Sequence, residues 1–166
     1  MSVRPAILLF AYLLTQPLPA IADGDSTNDI VTACERLVVV YALARDQQDA
    51  DAYVDVFTED ARLVIQGQTF NGRDAIRQRT AEWSETLVAR HLMTTIQITP
   101  VDNSTATGIA YTLIMAADVD RGTTGPIPVE SFRVMGEYHD VFKLTEDGWK
   151  IARREFKVVF SAATPD

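Results

Sequence analysis

The chain has 166 residues, 23 of them acidic and 15 basic, for a formal net charge of −8 with neutral histidines. That balance argues against nucleic acid as a partner, because phosphate binding needs clustered Lys and Arg, and against anionic membrane surfaces for the same reason. A single cysteine, Cys34, excludes an internal disulfide, so packing must hold the fold together.

The first stretch reads as a leader. Arg4 supplies a positive start, Ala6 to Leu14 is an uninterrupted apolar run, Pro17 and Pro19 break it, and Ala20-Ile21-Ala22 has the small-x-small cleavage pattern. A secretory signal peptide, residues 1–22, is expected, cut after Ala22; the run is too short to anchor stably in a bilayer. A buried N-terminal helix is the competing reading. Removing 22 residues from 166 leaves 144, Asp23 to Asp166, and losing Arg4 takes the charge from −8 to −9. One domain of that size can bury a real core. Its expected location is the periplasm or outside the cell.

Residues 23–28 are polar, and Ser26, Thr27 or Asn28 can cap a helix. Apolar residues then recur at helical spacing through Ile30, Cys34, Leu37, Val38, Tyr41 and Ala42, which predicts a first helix to about Gln47. Cys34 falls on that stripe and reads as a buried, inert thiol. A short second helix is expected over 50–57, a strand over 60–66 with a turn at Gly67, and a third helix over 73–86 whose inward face includes Ile76, Arg79 or Thr80, and Trp83. The period then becomes alternating, giving strands over about 91–100, 105–118, 132–144 and 149–160. Asp102-Asn103 and Glu146-Asp147-Gly148 mark tight turns. The Gly- and Pro-bearing segment 120–131 reads as an ordered flap. Three helices followed by an antiparallel meander make an α+β fold, and a strongly curved sheet with helices on its concave face encloses a cone-shaped pocket.

Several residues in these elements could carry chemistry. Alternation places Tyr138, Asp140, Phe142 and Leu144 on one apolar strand face, so Asp140 is a carboxyl group among aromatic and aliphatic side chains, either a protonated acid or a polar anchor. Arg154, grouped by the same alternation with Ala152, Phe156, Val158 and Phe160, could meet a ligand or pair with Asp140. Tyr41 lies on the buried helix stripe. Asp46 sits near the helix C-terminus, where an acid opposes the helix dipole, so local stability does not explain it. His139 falls on the outward strand face. His91 opens a strand at the pocket lip, and an Asp46 carboxylate on one ring nitrogen would leave the other free to accept a proton. No metal-ligand spacing, phosphate-binding glycine loop or nucleophile elbow is present in the sequence, and no cofactor is expected.

These pieces together resemble the SnoaL-like superfamily, which includes scytalone dehydratase, the bile-acid dehydratase, the lindane dehydrochlorinase and ketosteroid isomerase, with a cystatin-like fold. The resemblance rests on Tyr41-Ala-Leu-Ala-Arg-Asp46-Gln-Gln-Asp49, Phe57-Thr-Glu-Asp60-Ala, Gly72-Arg-Asp-Ala-Ile76, Arg90-His91-Leu-Met-Thr94, Gly136-Glu-Tyr138-His-Asp140 and Asp147-Gly-Trp149-Lys-Ile-Ala-Arg-Arg154. It implies that Asp46 and His91 form the Asp–His dyad of the dehydratases. It implies that Tyr41 polarises a substrate oxygen, and that Asp140 occupies the place of the isomerase's protonated aspartic acid. The pattern also departs from its relatives. Ile65 stands where the isomerase has its carboxylate base, Arg45 and Ile65 where scytalone dehydratase has paired tyrosines, and Ala116 or Ala117 where that enzyme has a second histidine. The resulting expectation is a cofactor-free lyase carrying out a dehydratase-type elimination, of water, halide or formaldehyde, from a small apolar cyclic or aromatic substrate. His91, Asp46 and Tyr41 would be catalytic, and Asp140, Tyr138, Ile65, Arg154 and Trp83 would line the substrate site. A non-catalytic ligand carrier and an isomerase using His91 as base are the alternatives. Relatives that pair through the sheet imply a homodimer or homotrimer.

Overall fold

In the computed structural model, which describes residues 24–120 and 122–162, the chain opens with a long helix, α1 (Gly24–Gln47). The expected leader and its cleavage point lie outside the described residues. Ile30, Cys34, Val38 and Tyr41 follow one another at three- and four-residue steps, so they fall on one side of α1, and all four are buried. The helix stops where Gln48 takes a left-handed backbone conformation, φ 57°. Asp49 then caps α2 (Ala50–Asp55), its carboxylate accepting from the backbone N–H of Ala52 at 3.0 Å.

The expected second helix extended to Phe57. In the structure it ends at Asp55, and Phe57 instead opens β1 (Phe57–Ile65). A tight turn with positive φ at Gln66 and Gly67 leads into β2 (Gln68–Asn71), a strand the sequence reading missed. Only Phe70 of its four residues is even half-buried, so there was no apolar alternation to find. Helix α3 (Gly72–Thr80) stops six residues short of expectation. Its continuation tightens into successive three-residue bonds at Ala81, Glu82 and Trp83, and the Gln48 side-chain amide donates to the carbonyls of Ser84 and Leu87. That tether draws the chain into extended form at the start of β3.

Strands β3 (Leu87–Asp102), β4 (Thr105–Asp118), β5 (Val134–Thr145) and β6 (Gly148–Ser161) complete a six-stranded sheet of order β2-β1-β6-β5-β4-β3. Neighbours are antiparallel except β1 and β6, which run parallel. The expected α+β architecture, a curved and mainly antiparallel sheet with three helices, is therefore present. Irregularities in register bend the long strands: between Thr94 and Gln97 on β3, between Met135 and Gly136 on β5, and beside Ala152 on β6. At Gly136 the sheet is tight enough that a Cβ would lie 2.4 Å from the Lys157 carbonyl oxygen.

The irregularity at Ala152 corrects the expected alternation. Phe142 pairs with Ile151 while Val141 pairs with Arg153, so Ala152 is the extra residue. Ile151 and Arg154, three apart, are both fully buried, whereas Val158 and Phe160 stand more than half exposed. On β5 the expected inward face holds for Tyr138, Asp140 and Phe142, but Leu144 is 47% exposed at the sheet's open end.

The core joins α1 and α2 to the concave sheet face through Val38, Tyr53, Phe57, Leu63, Tyr138 and Phe142. Cys34 is part of it; burial, with the Asp140 charge adding, pushes its thiol pKa up to about 12, which keeps it protonated and inert. Deep in the same core Arg154 Nε donates to Asp140 Oδ1 at 2.8 Å and Nη2 to Oδ2 at 2.6 Å, with both side chains essentially without exposure. Removing one member leaves a buried charge unpaired, so Asp140→Ala is expected to destabilise the fold by about 3–5 kcal/mol in urea unfolding. The double variant Asp140→Leu with Arg154→Met should lie closer to wild type than Asp140→Ala does.

Candidate active site

Asp46 and His91 come from elements far apart in sequence. Asp46 is the second-last residue of α1, and His91 lies on β3, the edge strand of the sheet. An edge strand presents backbone N–H groups with no neighbouring strand to accept from them. Asp46 fills that need at one point: its Oδ2 accepts from the His91 backbone N–H at 2.9 Å, while Oδ1 lies 2.5 Å from His91 Nδ1. Both side chains are about nine-tenths buried. A carboxylate only accepts, so Nδ1 carries a proton, and in the neutral imidazole Nε2 is the nitrogen with the lone pair.

His91 lines a cavity of about 130 Å³ between the three helices and the concave sheet face, open to one side. One wall is apolar: Ile65, Leu87, Ala89, Ile114, Ala116 and Phe156. A second carries three tyrosines. Tyr53 donates its hydroxyl to Tyr41 Oη at 3.1 Å, and the Tyr41 and Tyr138 rings meet edge-on with centroids 5.5 Å apart. Burial first, and neighbouring Tyr41 second, hold the hydroxyls of Tyr53 and Tyr138 well above the usual tyrosine pKa. Both therefore remain hydrogen-bond donors at neutral pH. The third part of the lining is basic, from Arg45, Arg79 and Arg133, with Gln66 beside them.

Arg154 and Asp140 do not line this cavity. The Arg154 guanidinium carbon lies 4.1 Å from the Tyr41 ring centroid and 4.6 Å from that of Tyr138. A cation against the ring faces fixes both rings and draws electron density toward it. Asp140 accepts from Arg154 on both oxygens, so it anchors that cation; the expectation of a protonated acid donating into the pocket does not match this arrangement. Trp83, expected to touch substrate, also stands behind the lining. It packs edge-on against Tyr53 at 5.0 Å, and the Arg45 guanidinium lies 4.5 Å over its ring.

The structure thus brings His91, Tyr41, Tyr138 and Ile65 to one cavity, holds Asp46 behind His91, and sets Asp140, Arg154 and Trp83 behind the lining as well. His139 lies on the outer face beside Glu137 at 3.0 Å, as the alternation indicated. Tyr53, Arg79 and Arg133 join the lining without a sequence motif that marks them for it. Arg45 was legible, being four residues after Tyr41 on the same helix face. Arg133 was not, because it follows the irregular segment before β5. Arg45, Ile65 and Ala116, positions where the sequence departs from its relatives, all line the cavity.

With this geometry in hand, comparison with known proteins is informative. No curated protein matches the sequence. Among solved structures, similarity extends to a hexachlorocyclohexane dehydrochlorinase (LinA type 2), with TM-score 0.70 and 14% identity over 84% of this chain and 92% of that one. A scytalone dehydratase candidate from Novosphingobium aromaticivorans is similar with TM-score 0.69 and 19% identity, covering 86% of this chain and 92% of its own. An NTF2-like protein of cystatin-like fold from the same organism is similar with TM-score 0.63 and 21% identity, covering 84% and 90%. These likenesses are likenesses of fold. The SnoaL-like domain profile matches residues 27–155, most of the chain and every cavity-lining residue but Phe156, and the protein belongs to the SnoaL-like domain family.

Proposed function

We propose that the protein is a cofactor-free lyase in which His91 removes a proton from carbon. The observation that carries this reading is the double contact of Asp46 on His91, to the ring and to the backbone of the same residue. In the neutral imidazole it fixes the tautomer with the proton on Nδ1, which leaves Nε2 as the nitrogen that a general base would use. A passive carrier of apolar ligands has no need of such a pair. As the C–H bond breaks, charge moves onto an adjacent substrate oxygen, and Tyr41 is suited to receive it. Its own oxygen already accepts from Tyr53, so its proton is free to donate toward that charge. The proton ends on His91 Nε2, and the imidazolium formed is stabilised by Asp46. Loss of the β-substituent then restores the carbonyl: a hydroxyl takes the proton from His91 and leaves as water, whereas a halide leaves as the anion and His91 gives its proton to solvent. Ile65 offers no carboxylate for the alternative of an isomerase base at that position. The dehydratase and dehydrochlorinase named among the structural neighbours lend the same direction.

Proton abstraction can be read without the natural leaving group. A cyclic β-hydroxyketone incubated in D2O should exchange its α-proton or eliminate water, followed by NMR. His91→Ala and Asp46→Asn are each expected to lower that rate by about a hundredfold or more with thermal unfolding unchanged. Undiminished exchange in either variant ends the dyad proposal. Tyr41→Phe removes one donor to the developing charge and should cost roughly a hundredfold in kcat with little change in KM.

We further propose export with cleavage after Ala22 and assembly as a homodimer or homotrimer. Intact mass of the protein from the periplasm should begin at Asp23, and light scattering should give two or three times the protomer mass. A product retaining Met1, or a monomer, would contradict the respective part.

A further inference from the structure

Most of the described basic residues are either paired with a carboxylate or, like Arg36, Arg62, Arg90, Lys143 and Lys157, exposed and outside the cavity lining. Arg73 meets Asp55 and Glu59, Arg77 meets Asp51, Arg153 meets Glu155, Lys150 meets Asp55, and Arg154 meets Asp140, each within 3.0 Å. Arg45, Arg79 and Arg133 have no carboxylate partner among the described residues, and all three line the one cavity that holds His91. In a chain with 23 acidic residues, three unpaired guanidiniums at one place are not explained by a shortage of counter-charges.

Nor are they all solvated surface groups. Arg45 and Arg79 are half-buried, and Arg79 Nη1 is fully buried with no hydrogen-bond partner. A buried donor left unsatisfied costs free energy unless something completes it. Arg79 rests near the face of Phe70 at 5.5 Å and Arg45 on Trp83, contacts that steer the guanidiniums without neutralising them. Burial chiefly, with the Arg79 charge adding, pulls the Arg45 pKa below the arginine norm, while Arg73, with its carboxylates, is held above it. Asp46, the acid adjacent to Arg45, is taken up on both oxygens by His91.

We infer that the substrate carries a carboxylate, bound by Arg45 and Arg79 with Arg133 at the rim, on a ring that fills the apolar wall. This rests on the lyase reading for the word substrate, but the anion site stands on the arginines alone. The size agrees: a dry cavity of about 150 Å³ accommodates a benzene ring, and this one is about 130 Å³ and open to one side. Guanidinium and carboxylate match as planar, bidentate partners. The apolar substrate expected from the strand residues is thereby refined to an amphiphilic one, an aromatic or cyclic carboxylic acid. Besides binding, the same charges draw the substrate to a pocket whose protein is otherwise strongly acidic.

The test is a calorimetric titration of the full-length mature protein with benzoate and with its neutral isostere benzamide. Benzoate is expected to bind at least about tenfold more tightly, with an affinity that falls as salt rises while that of benzamide does not. Arg79→Gln and Arg45→Gln should each abolish most of the preference; Arg133→Gln, at the exposed rim, should reduce it less. If Arg45→Gln fails to fold for want of its Trp83 contact, Arg79→Gln and the salt dependence decide the matter. Equal binding of the two probes, no benzoate binding at millimolar concentration, or a preference that survives Arg79→Gln overturns the inference. His91→Ala should keep the preference. Its loss there with survival in Arg79→Gln would assign the charge to the imidazole and overturn it equally. Failure of the dyad in the exchange assay leaves these titrations unaffected, so the two readings fail separately.

Discussion

The ion pair between Asp140 and Arg154 is the constraint on which the rest of the site depends. A bidentate pair with almost no exposure is tolerated only when geometry is good and the charges are matched. It requires β5 and β6 to place the two residues directly opposite, which the extra residue at Ala152 brings about. Once held, the guanidinium lies against the rings of Tyr41 and Tyr138, and Tyr41 in turn accepts from Tyr53. One buried cation thereby sets the orientation of aromatic side chains drawn from α1, α2 and β5. The hydroxyl donors beside the cavity are consequences of a charge that never reaches it.

The second organising element is the docking of the α1 C-terminus on an edge strand. Asp46 does two jobs with one carboxylate: it satisfies a backbone N–H that the sheet leaves unpaired and it holds the imidazole of the same residue. Gln48 secures the same junction by donating to the carbonyls of Ser84, just before the strand, and Leu87, its first residue. Placement of the dyad is thus built from backbone needs rather than added to a finished fold. An acid at a helix C-terminus is unfavourable locally, and the tertiary contact explains why it is there.

Charge distribution gives the cavity its character. Acidic residues dominate the chain, yet the cavity is bordered by three guanidiniums without acidic partners and by tyrosine hydroxyls that burial keeps protonated. Apolar side chains from β1, β3, β4 and β6 make up the remaining wall. Such a surface favours a molecule with one flat apolar part and one anionic part. It also favours negative charge developing on a substrate oxygen, which is the common demand of proton abstraction next to a carbonyl.

Periodicity alone was enough for α1, the four long strands, the buried thiol and the inward direction of Tyr138 and Asp140, because each depends on which side of a regular element faces apolar surroundings. The order of helices and strands was enough for the α+β architecture. The sequence reading fell short where non-local contacts override local pattern. β2 has almost no buried face, α3 unwinds into the tether from Gln48, and the extra residue at Ala152 puts Ile151 and Arg154, three apart, on the same buried side. The partner of Asp140 was left open for the same reason: strand pairing, not spacing along the chain, determines which charge lies opposite. Residue types were sufficient to raise Asp46 with His91, and the family resemblance added Tyr41. Only the folded chain could decide that Asp140 serves Arg154, that Trp83 stands behind the lining, and that Arg45, Arg79 and Arg133 converge, since those are distances between segments that the sequence does not encode locally.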